Sequence, residues 1–270
     1  VPFALVATLR ITEHVKTLVA LFLALQAGLF GTFTALNFFH WFIFWELSLV
    51  PAFFLIQRWG GPQRVQAATQ FFIYTFVGSI TLLIGFAALL PATNTFNFVE
   101  LAKQGPGIEN LLQAHYRDRL GWHIAPHTLA MVIFSGVFLG FAVKVPLMPF
   151  HTWLPNAYAE APIGVTMVLT GVMSKMGVYG FLRILLPMFP AQMQAAGTVL
   201  LWLAAITIVA SALAAFAQRD LKRLFAYSSI NHLGYCLLGI FAAASLTGTD
   251  PRWINEKSAA LNGVLLQMFN

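Results

Sequence analysis

Between Leu18 and Gln57 the chain reads LVALFLALQAGLFGTFTALNFFHWFIFWELSLVPAFFLIQ, a run without lysine or arginine and with one carboxylate, Glu46. About 20 apolar residues cross the hydrocarbon core of a bilayer as an α-helix. This stretch is therefore long enough for two crossings, expected over 17–37 and 38–57 and meeting near Asn37. Just beyond it, Arg58-Trp59-Gly60-Gly61-Pro62 joins an interfacial tryptophan to two glycines and a proline that end a helix, and a third crossing is expected over 65–90. Residues 91–127 are polar, with Lys103, Arg117 and Arg119 set against Glu100, Glu109 and Asp118, and read as an extramembrane loop. The apolar run that starts at Thr128 is interrupted by Lys144-Val145-Pro146-Leu147-Met148-Pro149 before His151-Thr152-Trp153-Leu154-Pro155 resumes it. Proline lacks the backbone donor and clashes with the preceding turn, while unwound backbone at membrane depth survives only inside protein or around a water-filled cavity. Three more crossings are expected over 163–186, 192–217 and 224–246, followed by a polar loop over 247–258. The fold class is all-α: a polytopic transmembrane helix bundle of about seven crossings, with a discontinuous helix around Lys144–His151, in a single membrane domain over 1–270.

Composition agrees, since 9% charged and 59% hydrophobic residues contrast with the roughly 25% charged residues of soluble domains. The net charge of +6 is spread between apolar runs and forms no basic cluster interleaved with exposed aromatics, which argues against nucleic-acid binding. Counting crossings puts Arg10, Lys16, Arg58, Arg64, Arg219, Lys222 and Arg223 on one side, read as cytoplasmic by the positive-inside rule. The single cysteine, Cys236, excludes an internal disulfide and a cysteine-built metal site. No His, Cys or acidic residues stand at ligand spacing on one helix. Phosphate loops, nucleophile elbows and dinucleotide fingerprints are absent too, so no cofactor is expected in this chain. Arg10, Glu13, His14 and Lys16 precede the first long apolar run, unlike a cleavable signal peptide. The chain begins with Val, and the apolar stretch from Ala259 to Asn270 is too short to span. Both observations suggest a piece of a longer polypeptide.

Ionisable groups inside the crossings are few. Glu46 lies about eight residues into its helix, roughly 12 Å deep at ~1.5 Å per residue, too deep for a short carboxylate to reach water. An unpaired charge at mid-helix costs about 2.5–3.5 kcal/mol on insertion scales, so Glu46 needs a proton or a cation. Lys144 stands just before the Pro146 break, where freed carbonyls and water can solvate an ammonium. Lys175 occupies the middle of Gly171-Val172-Met173-Ser174-Lys175-Met176-Gly177, whose small residues, Ser174 among them, let helices approach closely. His232 lies inside its helix beside Ser228, Ser229 and Asn231; it is either a proton carrier or a hydrogen-bond donor between helices. His151, on the break, divides equally between capping and relay. Glu160, before Ala161-Pro162, reads as a carboxylate at a helix start, favoured by the helix dipole. His40 is close to a helix end and reads as interfacial, and Cys236 as a packing residue. The plain alternative is that Glu46 and Lys144 form a permanent ion pair fixing helix register. Buried ionisable groups in membranes are nevertheless functional by default, and several in one bundle outline an ion pathway.

Four segments resemble a known family: Phe44–Pro51 (FWELSLVP), Ala142–Pro155 (AVKVPLMPFHTWLP), Ser174–Gly180 (SKMGVYG) and Asp220–Gly234 (DLKRLFAYSSINHLG). They are similar to the antiporter-like, proton-translocating membrane subunits of respiratory complex I, NADH:quinone oxidoreductase, and within them to the chain M type. Thr95-Phe96-Asn97-Phe98 and Phe181-Leu182-Arg183 add to that likeness. The resemblance implies that Glu46 and Lys144 are the Glu–Lys pair of a proton channel, that Lys175 is its central lysine and His232 a histidine on the same axis, with His151, Ser174 and Glu160 as accessory positions. It implies further that NAD, FMN, iron–sulfur clusters and quinone belong to other subunits, and that the partners are neighbouring membrane-arm subunits, lipid, protons and water. The location it implies is a bacterial inner membrane or an equivalent energy-converting membrane. Members have more helices at both ends, including a second broken helix, so this stretch by itself is not expected to move protons. The D-type membrane component of a multisubunit Na⁺/H⁺ antiporter and the membrane subunit of an energy-converting hydrogenase carry similar motifs. A structural spacer, in which the buried charges only fix packing, is the alternative of a different class.

Overall fold

A computed structural model of the chain describes residues 1–121, 124–246 and 251–269. Among these, seven helices are long and apolar enough to cross a membrane: Val15–Thr34, Phe38–Trp59, Arg64–Thr93, Pro126–Lys144, Ile163–Met188, Gly197–Phe216 and Leu221–Ser245. In chain order they are α2, α3, α4, α7, α9, α11 and α12. Shorter helices stand around them: α1 (Pro2–Ala7), α5 (Phe98–Gln104), α6 (Ile108–Leu112), α8 (Trp153–Glu160), α10 (Pro190–Ala195) and α13 (Pro251–Phe269). This is the all-α bundle that the apolar runs dictate, and the protein is an integral, multi-pass membrane protein.

Three stretches differ from the expectation. The connection over 91–127 folds into α5, α6 and a π-helical turn, Gln113–Arg119, because Leu101, Ile108 and Leu112 are apolar residues within polar sequence and bury themselves against the bundle end. The crossing expected from 192 is divided, with α10 ending before α11 begins at Gly197. Of the polar loop expected over 247–258, residues 247–250 lie outside the described residues, and 251–258 are the first turns of α13. That helix is less apolar than the crossings but lays Val264 against α12, where a Cβ on Gly239 would stand 2.5 Å from it.

Two asparagines organise one end of the bundle. Asn37 Oδ1 accepts from Phe39 N and Asn97 Oδ1 from Val99 N, both at 2.9 Å, so each caps its own helix. The same two residues pair across the chain, with Phe38 N donating to Phe96 O and Phe98 N to Leu36 O. The Phe38 ring then stacks on Phe86 with centroids 3.7 Å apart.

Close helix approach is concentrated around the break. A Cβ on Gly140 of α7 would lie 2.7 Å from the Gly78 carbonyl of α4, and one on Gly177 of α9 would lie 2.4 Å from Val145. Small residues at these contacts let backbones meet, as membrane packing requires. Residues 145–152 are unwound between α7 and α8, and 141–147 are buried, so the interruption faces the interior. Its freed polar groups find partners in the protein. Trp153 Nε1 donates to Val143 O at 3.0 Å, Met148 N to Thr207 Oγ1 at 3.2 Å, and Asn156 Nδ2 to Gln70 Oε1 at 2.8 Å.

The far end of α8 is tied to two other helices. Lys222 Nζ donates to Ala159 O at 3.1 Å and to Ala161 O at 3.0 Å, supplying a cation to carbonyls that a helix end leaves unsatisfied. Glu160 is the last residue of α8 and does not begin a helix of its own. Its carboxylate instead accepts from Gln63 N at 2.9 Å, next to the first turn of α4. The dipole argument holds, but for a helix distant in sequence. These contacts place the loops carrying Arg58, Arg64 and Lys222 at one end of the bundle, as the crossing count requires.

Candidate functional site

Lys144 ends α7 and is 3% exposed. Its Nζ lies 5.0 Å from the ring centroid of Trp45, close enough for a cation–π attraction of about 2 kcal/mol in a desolvated setting. Trp45 is fixed in turn: its Nε1 donates to Ser79 Oγ at 3.1 Å, and Ser79 Oγ donates to Thr75 O at 3.0 Å. Its ring also packs against Trp41 and Phe141. Glu46, the next residue, turns its carboxylate toward Ser79 and feels the charge of Lys144. Among the described residues the only ion pair within 4.0 Å is His127–Glu109, so Glu46 and Lys144 feel each other's charge without direct contact. Glu46 Oε1 is buried with no hydrogen-bond partner.

Lys175 and His232 meet elsewhere, in a cleft of ≈ 640 Å³ between α9 and α12 that Ser229, Cys236, Lys222 and Gln267 also line. A π-helical turn over Leu169–Met173 precedes Lys175. Such turns widen the backbone and recur at functional sites. Here the widened turn presents the Thr170 carbonyl to two donors, Lys175 Nζ at 3.0 Å and Ser174 Oγ at 2.7 Å. His232 Nδ1 is hydrogen-bonded to the Gln267 side-chain amide at 2.6 Å. Cys236 is buried and close to Lys175.

The remaining positions separate. Ser174 is buried between the surroundings of Lys144 and the cleft. His151 lies in the break with its Nδ1 buried and unpartnered, its ring 6.4 Å from that of Tyr227. Glu160 sits at the bundle end, away from the lysines, as a helix cap. His40 is exposed in the first turn of α3. Sequence reasoning missed Trp45 as a cation partner, Ser79, Tyr158 and Gln267. Trp45 stood in plain view beside Glu46, and Thr75 and Ser79 at i, i+4 spacing on an apolar helix were a legible polar stripe. Tyr158 and Gln267 carried no signal short of the fold. No group of three or more His, Cys, Asp or Glu side chains converges as a metal site among the described residues.

Comparison with known proteins places the chain in a family. Residues 35–250 match the family described as NADH:quinone oxidoreductase/Mrp antiporter, transmembrane. The chain is 39% identical over 242 residues to NADH-quinone oxidoreductase subunit M of Rhodobacter capsulatus, covering 90% of this chain and 46% of that protein. It thus spans about half the length of the curated relatives it matches. Among solved structures it is similar to a chain of respiratory complex I from Thermus thermophilus, with TM-score 0.69, 29% identity, and coverage of 93% of this chain and 50% of that one. It also shares its fold with a chain of the Mrp complex from a Dietzia species, with TM-score 0.71, 24% identity, and coverage of 92% and 42%.

Proposed function

The chain belongs to the NADH:quinone oxidoreductase/Mrp antiporter transmembrane family, and on that premise we propose that it forms part of a proton-translocating membrane-arm subunit of NADH:quinone oxidoreductase. Glu46 and Lys144 act as the switching pair, Lys175 as the central lysine and His232 as the histidine beyond it. The observation that carries this reading is the setting of Lys144: an ammonium buried at the interruption of a helix, near a carboxylate, without a direct ion pair. A pair locked for structure alone would close to contact, since separation leaves both charges under-compensated in a medium of low dielectric constant. A pair held out of contact, with the ammonium over an aromatic face, can change state. While Glu46 is ionised nearby, the ammonium keeps its proton. When that charge is neutralised or drawn off, the proton leaves toward Lys175.

The chain carries no redox chemistry in this scheme. Electron transfer and quinone reduction belong to other subunits, and neighbouring parts of the membrane arm deliver the displacement of charge that moves Glu46. In an Mrp-type antiporter the same residues would exchange cations without any electron donor. Curated relatives 36–39% identical to the chain and named as subunits of quinone oxidoreductases favour the first reading.

The test uses the full-length subunit in its assembled complex, reconstituted in vesicles. Glu46→Gln and Lys144→Ala are each expected to abolish most proton uptake coupled to NADH-driven quinone reduction while subunit content stays normal. Glu46→Asp retains more, because it keeps the charge and loses one methylene of reach. Normal pumping per assembled complex in both of the first two variants would overturn the assignment and leave the buried charges as packing devices.

A further inference from the structure

Lys144 and Lys175 are close in sequence and share a bundle, yet the space between them is not a continuous channel. The cleft that holds Lys175 ends against Tyr158 and Ser174. A second, much smaller gap lies behind the same two side chains and holds Lys144 together with Phe71, Trp153 and Met173. That gap measures ≈ 10 Å³, about the least that holds one water. A file of waters cannot run through it. Whatever passes from one lysine to the other crosses the wall that Tyr158 and Ser174 form.

This wall is built of hydroxyls. Tyr158 is 3% exposed, and its phenol faces the side chains of Thr170 and Ser174. Ser174 Oγ donates to the Thr170 carbonyl, which also receives Lys175 Nζ. Tyr158 itself rides on α8, whose position is fixed by Trp153 on one side of the break and by Lys222 at the far end. Among the described residues, the phenol is the one polar side chain of the broken helix's second half that lines both spaces.

Resting on the Lys144-to-Lys175 route proposed above, we infer that the Tyr158 hydroxyl, with Ser174, is the relay that carries the proton between the small gap and the cleft. The transfer conserves every atom. Lys144 Nζ gives a proton, directly or over one water, to the Tyr158 oxygen. Tyr158 passes its own hydrogen through the Ser174 hydroxyl to the neutral amine of Lys175. Lys144 ends as an amine and Lys175 as an ammonium, and each hydroxyl regains a single hydrogen. Because the path is a wall of side chains and not a water column, it conducts only when the hydroxyls are aligned, and the tilt of α8 governs that alignment.

The experiment compares Tyr158→Phe, Tyr158→His, Ser174→Ala and Lys144→Ala in the full-length subunit within the assembled, vesicle-reconstituted complex. Tyr158→Phe keeps the ring and its packing and removes only the relay oxygen. It is expected to lower proton uptake per electron about tenfold, the modest end of what a positioned proton-transfer group supplies, with a larger solvent deuterium isotope effect on the residual flux. Tyr158→His restores much of the flux because an imidazole also accepts and donates, a rescue that a purely structural tyrosine would not show. Ser174→Ala, which deletes one oxygen, lowers the flux in the same direction and serves as the measure should Tyr158→Phe fail to assemble. Full pumping in assembled Tyr158→Phe and Ser174→Ala, with Lys144→Ala inactive, would overturn the relay and leave the lysine route standing. Full pumping in Lys144→Ala would overturn the route and the relay together.

Discussion

The two buried lysines are held by different means. Lys144 stands where its helix stops, covered on all sides, its ammonium over an indole and its carboxylate neighbour out of contact. Lys175 stands within a continuous crossing, half-buried, and a π turn of its own helix hands it a carbonyl. The first depends on other helices for every compensating interaction; the second brings its partner with it. A charge whose compensation lies on other elements can be switched when those elements shift. A charge satisfied locally, beside a wide cleft, keeps its place while protons come and go.

That contrast predicts opposite couplings between function and stability. Lys144→Met is expected to give the largest functional effect, loss of pumping, with no loss of heat stability in the detergent-purified complex, because replacing a buried ammonium by a chain of similar volume is often neutral or stabilising. A fall in melting temperature together with the pumping would show Lys144 to be a structural anchor instead. Gly177→Val comes next: its side chain has no room against Val145, and overpacking of about 1–3 kcal/mol should reduce the amount of assembled subunit seen by native gel electrophoresis. If Gly177→Val assembles normally, the break is softer than its contacts imply. Lys175→Met should leave pumping impaired and also cost about 1.5–3 kcal/mol of stability for the lost charged hydrogen bond to Thr170 O, readable as a shift in thermal unfolding. The smallest effect is expected from Trp45→Phe, which keeps an aromatic face over Lys144 but deletes the bond to Ser79, about 1 kcal/mol. Proton uptake in this variant as low as in Lys144→Met would mean that the indole, and not Glu46, sets the state of the lysine.

Much of the bundle was legible because the bilayer leaves the sequence few alternatives. Apolar runs without Lys or Arg had to be helices, and a lysine beside Pro146 and Pro149 had to mark unwound backbone facing inward. Glu46 was conspicuous for the same reason, as a short carboxylate too deep to reach water. What escaped was whatever depends on a partner from another helix or on a local change of helical pitch. Nothing in Leu169-Thr170-Gly171-Val172-Met173 distinguishes a π turn from ordinary helix. Glu160 was read against the helix that follows it, whereas its partner, Gln63, is far away in sequence. Helices α5 and α6 were hidden because their buried apolar residues are scattered among charges, and α13 because its first turns carry Arg252, Asn255, Glu256 and Lys257.

The two ties at the far end of α8 also set an order in time. Glu160 completes a helix start made 97 residues earlier, and the carbonyls of Ala159 and Ala161 wait for Lys222, synthesised 63 and 61 residues after them. During synthesis the ribosome therefore releases α4 with an open end and the broken helix with a loose one. The first is closed when residue 160 arrives, the second only after α9 and α11 have entered the bilayer. The far end of the broken helix's second half therefore sets later than the break itself, whose bonds to Val143, Gln70 and Thr207 are available once α11 is made, and a chain stalled before residue 222 would carry every crossing up to α11 with the carbonyls of Ala159 and Ala161 still open.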